Sequence, residues 1–215
     1  MTDAKAGAEN IIPLYERTAA AWLAARGTDL AEAEWLDLLT ERLEPGATIL
    51  DLGCGGGVPI GAELLCRGFA VTGLDSAPSL IAHARTSLPQ GEWIVGDMRC
   101  FAPPHRFDGL IAWHSFFHLG HDDQRAMIPR FARLLCPGGT VMFTSGPQDG
   151  VSWGEWQGES LFHASLSQQE YRERLVNAGF SAITYIEADP IGSGPTLWLA
   201  TLGIGQGNAG RRNGA

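Results

Sequence analysis

The chain has 215 residues, of which 45% are hydrophobic and 18% charged. That length suits one domain able to bury a full core, and the composition excludes a disordered or coiled-coil chain. Fifteen Lys and Arg against 24 acidic residues, net charge −9, argue against a nucleic-acid surface, which needs a basic face, and against attraction to anionic membranes.

Taken from its start, MTDAKAGAEN lacks the basic-then-apolar pattern of a secretory signal. No apolar run approaches the roughly 18 residues needed to span a bilayer, so a cytoplasmic protein is expected. Cys54, Cys66, Cys100 and Cys136 form no CxxC pair and read as ordinary reduced thiols. The spacing predicts a helix over 13–26, opened by Pro13 and closed by Gly27, and a second over 31–43. Short apolar runs at 48–52, 70–75, 92–97, 107–113 and 140–145 read as buried parallel strands. Helical stretches at about 60–67, 78–88 and 122–135 alternate with them. Strand–helix–strand repetition implies right-handed crossovers and a doubly wound α/β sheet. Residues 146–160 read as a loop rich in Gly, Trp and acid. A helix over 167–178 follows, with Ser167 and Glu170 in a capping box and Gly179 as its stop. Strands are predicted over 180–187 and 195–202, and 203–215 reads as a flexible Gly-rich tail.

The sharpest motif is ILDLGCGGG at 49–57, an apolar strand running into Asp51, Gly53, Gly55, Gly56 and Gly57. Glycines there permit positive φ and close approach of backbone to a ligand at the carboxyl end of a strand. The dinucleotide fingerprint GxGxxG fails, because its third glycine position is Val58 followed by Pro59. The phosphate loop fails for want of a Lys. An acid two residues before the first glycine is ill placed for pyrophosphate and well placed for a cationic amine. In GLDSAP (73–78), Asp75 ends the next strand, ~20 residues on, where an acid accepts both ribose hydroxyls. In VGDMR (95–99), Asp97 suits an adenine amino group and Met98 the ring face. Each Asp by itself also reads as a turn or N-cap; three on consecutive strand ends do not.

With these residues in view, the sequence resembles the class I S-adenosylmethionine-dependent methyltransferases. The matching segments are DLGCGGG (51–57), GLDSAP (73–78), GDM (96–98), FDGLIAWHSFFHL (107–119) and LLCPGGTVMF (134–143). SLSQQEYRERLVNAGF (165–180) looks like the late helix and strand entry of that fold, so the resemblance spans roughly 10–202. It implies a Rossmann-like seven-stranded sheet of order 3-2-1-4-5-7-6, last strand antiparallel, as one domain over 1–202. By the same resemblance Asp51, Gly53 and Gly55 face the methionine moiety, Asp75 and Ser76 the ribose, and Asp97 and Met98 the adenine. Trp113 borders the same cofactor. Residues 10–43 would be cap helices, with Tyr15, Trp22 and Arg26 folding over the cofactor, although Tyr15 and Trp22, seven apart, also fit a core stripe. Cys136 departs from the Lys usual before PGG.

The resemblance leaves the acceptor open. His114 and His118, four apart, would share one face of a helical turn. They read either as acceptor-cavity residues, one of them a base, or as hydrogen-bonded supports beneath it; no acid or Cys partner suggests a metal. Phe117 lies between them. The segment 146–163 brings Trp153, Trp156, Glu159 and His163 together, either as a lid on the acceptor or as plain packing. The expectation is a small-molecule methyltransferase, monomer or homodimer, with His118, His114 or His163 as general base. An NAD-type oxidoreductase and a cofactor-binding protein without catalysis are the rivals. Protein or nucleic-acid methylation is disfavoured because WHSF stands where an NPPY-like segment would.

Overall fold

In the computed structural model, which describes residues 3–187 and 195–204, the apolar runs pair as strands. They are β1 (Thr48–Leu52), β2 (Ala70–Asp75), β3 (Glu92–Val95), β4 (Phe107–Ala112) and β5 (Leu135–Ser145). After them come β6 (Gly150–Trp156), β7 (Glu159–Ser165), β8 (Phe180–Ile186) and β9 (Thr196–Leu202). Seven of these form one sheet, order β3-β2-β1-β4-β5-β9-β8. β1 to β5 pair in parallel, and β9 runs antiparallel to both of its neighbours. With β6 and β7 set aside this is the order that the resemblance implies. β6 and β7 instead make a separate antiparallel hairpin.

The helices are α1 (Ala4–Arg17), α2 (Ala19–Arg26), α3 (Ala33–Thr40), α4 (Ile60–Cys66), α5 (Pro78–Ser87), α6 (His121–Leu134) and α7 (Gln168–Asn177). Strand alternation divides the core between the two faces of the sheet. Leu50, Leu52, Leu110, Phe143 and Trp198 pack toward α6 and α7. Ile49, Val71, Ile111, Met142 and Leu199 pack toward α3, α4 and α5. Both faces are therefore apolar, as a parallel sheet requires. Asp51 lies in register with Gly73 of β2 and Ile111 of β4 and is buried, so a carboxylate ends an otherwise apolar row.

Two local expectations change. The first helix does not open at Pro13: it starts at Ala4, capped by the Asp3 carboxylate accepting from Lys5 N–H, and Pro13 lies inside it. It breaks at Thr18, whose hydroxyl donates to the Leu14 carbonyl at 2.7 Å, before α2 begins. The segment 146–160 is a loop only over 146–149 and then forms the β6–β7 hairpin. Gln157 and Gly158, with φ of 52° and 78°, make the two-residue turn whose positive dihedrals match strand twist. α7 keeps its cap, Ser167 Oγ accepting from Glu170 N–H at 3.1 Å. The expected tail falls largely on 205–215, outside the described residues.

Candidate active site

The carboxyl ends of β1, β2 and β4 open into one cavity of about 380 Å³, roofed by α1, α2 and the β6–β7 hairpin. That size lies in the ~300–1,000 Å³ range of small-molecule sites. Its floor is the turn after β1. Gly53 and Cys54 N–H both donate to the Leu74 carbonyl, at 2.7 and 3.1 Å, which ties the turn to β2. Gly53 and Gly55 take φ of 76° and 57°, the left-handed region. A Cβ on Gly53 would stand 2.3 Å from Ser115 Cβ, and one on Gly55 2.4 Å from the Trp22 ring. Side chains would fill the space these glycines leave. Ser115, which sequence reasoning passed over, fastens the strand end by donating to the Leu52 carbonyl at 2.6 Å.

Three carboxylates face this floor, each with different electrostatics. Asp51 accepts no hydrogen bond among the described residues. Burial first, and Asp75 second, raise its pKa to about 7 against an opposing pull from Arg26. Asp75 accepts from Gly55 N–H and Ala77 N–H, both at 2.9 Å; burial nonetheless raises its pKa, outweighing those bonds. Asp97 goes the other way: burial would raise it, but Arg99 outweighs that and lowers it. The Arg99 guanidinium donates to Asp97, at 2.6 Å to Oδ2, and reaches Asp123 of α6 at 3.0 Å. Arg99 and Asp123 were not foreseen; VGDMR contains the Arg, but its partner on α6 is long-range.

The other end of the cavity is aromatic. A 3₁₀ turn at Phe116–His118 follows β4, so His114 (φ 50°) and His118 do not share a helical face as expected; both still line the cavity. His118 is buried, and desolvation, first among the causes, lowers its pKa to about 3. Its Nδ1–H donates to the Phe162 carbonyl at 2.8 Å, leaving Nε2 to accept the Tyr15 hydroxyl proton at 3.0 Å. Burial, then Asp75, push Tyr15 up to about 12. His163 stacks 4.9 Å from His118 and 5.2 Å from Phe117, ring centroid to centroid. Desolvation lowers the pKa of both His163 and His114.

The expected site residues separate by place. Tyr15, Trp22, Arg26, Asp51, Gly53, Gly55, Asp75, Ser76, Asp97, Met98, Trp113, His114, Phe117, His118 and His163 all border the cavity. Trp156 and Glu159, expected at the acceptor, do not. Trp156 Nε1 donates to Thr18 Oγ1 at 3.0 Å, and Glu159 accepts from Arg17 Nε at 2.9 Å. They fasten the hairpin to the α1–α2 break instead. Among the described residues no group of three or more His, Cys, Asp or Glu is placed to hold a metal.

Residues 49–139 match the family model described as a methyltransferase domain. That segment, less than half of the chain, is similar to a methyltransferase domain. A trans-aconitate 2-methyltransferase of Azoarcus sp. (strain BH72) is 35% identical over 102 residues, covering 46% of this chain and 39% of that protein. A ubiquinone biosynthesis O-methyltransferase of Xanthomonas campestris pv. campestris is 35% identical over 118 residues, covering 51% and 48%. The chain thus spans less than half the length of these curated relatives. In fold it resembles the 1,6-didemethyltoxoflavin-N1-methyltransferase of Burkholderia thailandensis, at TM-score 0.70 and 20% identity over 94% of this chain and 92% of that one. An amino pentose methyltransferase from Micromonospora echinaspora gives TM-score 0.67 at 23% identity, over 85% and 94%. No helix among the described residues is long and apolar enough to cross a membrane.

Proposed function

We propose that this protein binds S-adenosylmethionine and transfers its methyl group to a small-molecule acceptor. The observation that carries the reading is one continuous cavity joining the Asp51–Gly55 turn and Asp75 to the Tyr15–His118–His163–Phe117 cluster. The residues fit the cofactor. Asp51, buried and without a hydrogen-bond donor among the described residues, suits an ammonium that would compensate its charge. The glycine turn leaves room a Cβ would close. Asp75 has spare lone pairs on both oxygens for vicinal hydroxyls. Trp22 and Arg26 cover the turn from α2, while Ser76, Met98 and Trp113 wall its sides.

When bound, S-adenosylmethionine supplies a methyl carbon activated by a sulfonium leaving group. The protein's part is chiefly to orient the acceptor and exclude water. His163 is the residue we assign to take the acceptor's proton, because no hydrogen bond among the described residues engages its ring and its lowered pKa starts it neutral. His118 is bonded at both ring nitrogens and acts instead as a positioning residue, fixing the Tyr15 hydroxyl at the cavity wall. Trp156 and Glu159 are assigned no contact with the acceptor.

Calorimetry with S-adenosylhomocysteine tests the reading. Asp75→Ala should weaken binding by roughly 1.5–3 kcal/mol, the range for hydrogen bonds to a charged group. No binding at millimolar ligand, or undiminished binding in the variant, overturns it. Once an acceptor is in hand, His163→Ala should lower turnover by about 10²–10⁴ with S-adenosylhomocysteine affinity unchanged.

A further inference from the structure

From the pairing of every cavity arginine with carboxylates beside a cluster of uncharged rings, we infer that the methyl acceptor is an uncharged planar aromatic or heteroaromatic molecule. The inference rests on the methyltransferase reading above and narrows its substrate class.

Charge comes first. Among the described residues lining the cavity the cations, histidines aside, are Arg26 and Arg99. Arg26 Nη2 is held by Glu32 Oε1 at 2.6 Å, and Glu32 is itself buried, so its carboxylate and the guanidinium neutralise one another. Arg99 is gripped from two sides, by Asp97 at 2.6 Å and Asp123 at 3.0 Å. An acceptor carboxylate or phosphate entering this space would shed its water and meet no free cation among the described residues. The imidazoles do not supply the missing charge. Those of His114, His118 and His163 all have lowered pKa values and are neutral near pH 7.

Shape and contact chemistry come second. Phe117 stands at the centre of the ring cluster, with centroid distances of 4.9 Å to His118, 5.2 Å to His163 and 5.7 Å to His114. Ile11, Ile12 and Leu161 add aliphatic surface to the same cavity. Such walls favour a flat ring held by edge and offset contacts. A neutral imidazole offers one donor and one acceptor, which matches a phenolic O–H or ring N–H and gives a charged group no compensation. The Tyr15 hydroxyl, its proton committed to His118, presents only lone pairs and so accepts from a neutral donor.

The test uses the full chain saturated with S-adenosylhomocysteine at pH 7.5 and two probes sharing one ring system, 2-naphthol and 2-naphthoate, with trans-aconitate as a third. Calorimetry should show 2-naphthol binding at least about ten-fold more tightly than 2-naphthoate, and trans-aconitate not at all. Phe117→Ala should weaken 2-naphthol binding roughly two- to ten-fold, the worth of an aromatic contact, and leave S-adenosylhomocysteine affinity in place. The proposal is overturned if 2-naphthoate or trans-aconitate binds as well as 2-naphthol, or if 2-naphthol fails to bind the loaded protein at millimolar concentration. Failure of S-adenosylhomocysteine itself to bind would strike the underlying methyltransferase reading, a separate and earlier result.

Discussion

Replacing Asp51 by asparagine should stabilise the empty protein while weakening its ligand. Asp51 ionises near pH 7 in the folded chain against an ordinary value of about 3.8. The folded state therefore holds a proton that the unfolded chain has already released. Between about pH 4 and pH 7 each rise in pH costs the wild type stability, and above pH 7 the whole penalty is present. A separation of about three pH units at ~1.4 kcal/mol each corresponds to about 4 kcal/mol. The asparagine side chain has the same shape without the charge, but its amide is also buried, so a net gain of about 2 kcal/mol is a reasonable expectation. For a chain of this size that raises Tm by about 4–8 °C at pH 8, and the gain should shrink as pH falls toward 4.5. Melting curves of both proteins across that range, without ligand, measure it. The same variant should bind S-adenosylhomocysteine at least about ten-fold more weakly at pH 8, because the ligand's ammonium loses its counter-charge. A variant no more stable than wild type at pH 8, or one whose gain is equal at pH 4.5 and pH 8, would show that Asp51 is not held as an uncompensated buried acid.

The glycine turn and the roof give two further expectations. Gly55→Ala forces a side chain into φ 57° and against the Trp22 ring; it should cost about 1–2 kcal/mol in the unliganded fold and lower S-adenosylhomocysteine affinity ten-fold or more, readable by denaturant titration and calorimetry. Neighbouring residues of α1 grip opposite partners: Glu16 accepts from Ser79 N–H and Oγ–H at 3.0 and 2.6 Å, while Arg17 pairs with Glu159. If residues 10–26 are a cover over the cavity, hydrogen exchange there should slow when S-adenosylhomocysteine is added, and Glu16→Ala with Arg17→Ala should reverse much of that protection. Full protection in the empty wild type would make the segment ordinary packing.

The parallel sheet was legible because its strands are local apolar runs buried on both faces, and their alternation with helices leaves few topologies. The cofactor end was legible for a related reason. Asp51, Gly53, Gly55, Asp75 and Asp97 each sit at or just beyond the carboxyl end of a strand, so their convergence follows once the strand order is known. The β6–β7 hairpin was harder to see, because Trp153 and Val151 are partly exposed and the Gln157–Gly158 turn is a weak marker beside Asn-Gly.

The sequence by itself determined the alternation of buried strands and helices and the glycine turn with its nearby acids, since those depend on local spacing, while the strand order and the cofactor came from the resemblance to a known family. Tertiary structure decided how the acceptor end works. His118, His114 and His163 are equal candidates by residue type, but only the fold bonds His118 between the Phe162 carbonyl and Tyr15, 103 residues away in sequence, and leaves the His163 ring open. Trp156 and Glu159 looked like acceptor contacts until the hairpin turned them onto Thr18 and Arg17. Each of these assignments depends on which lone pair or proton is already spent on a distant partner, and spacing along the chain carries no record of that.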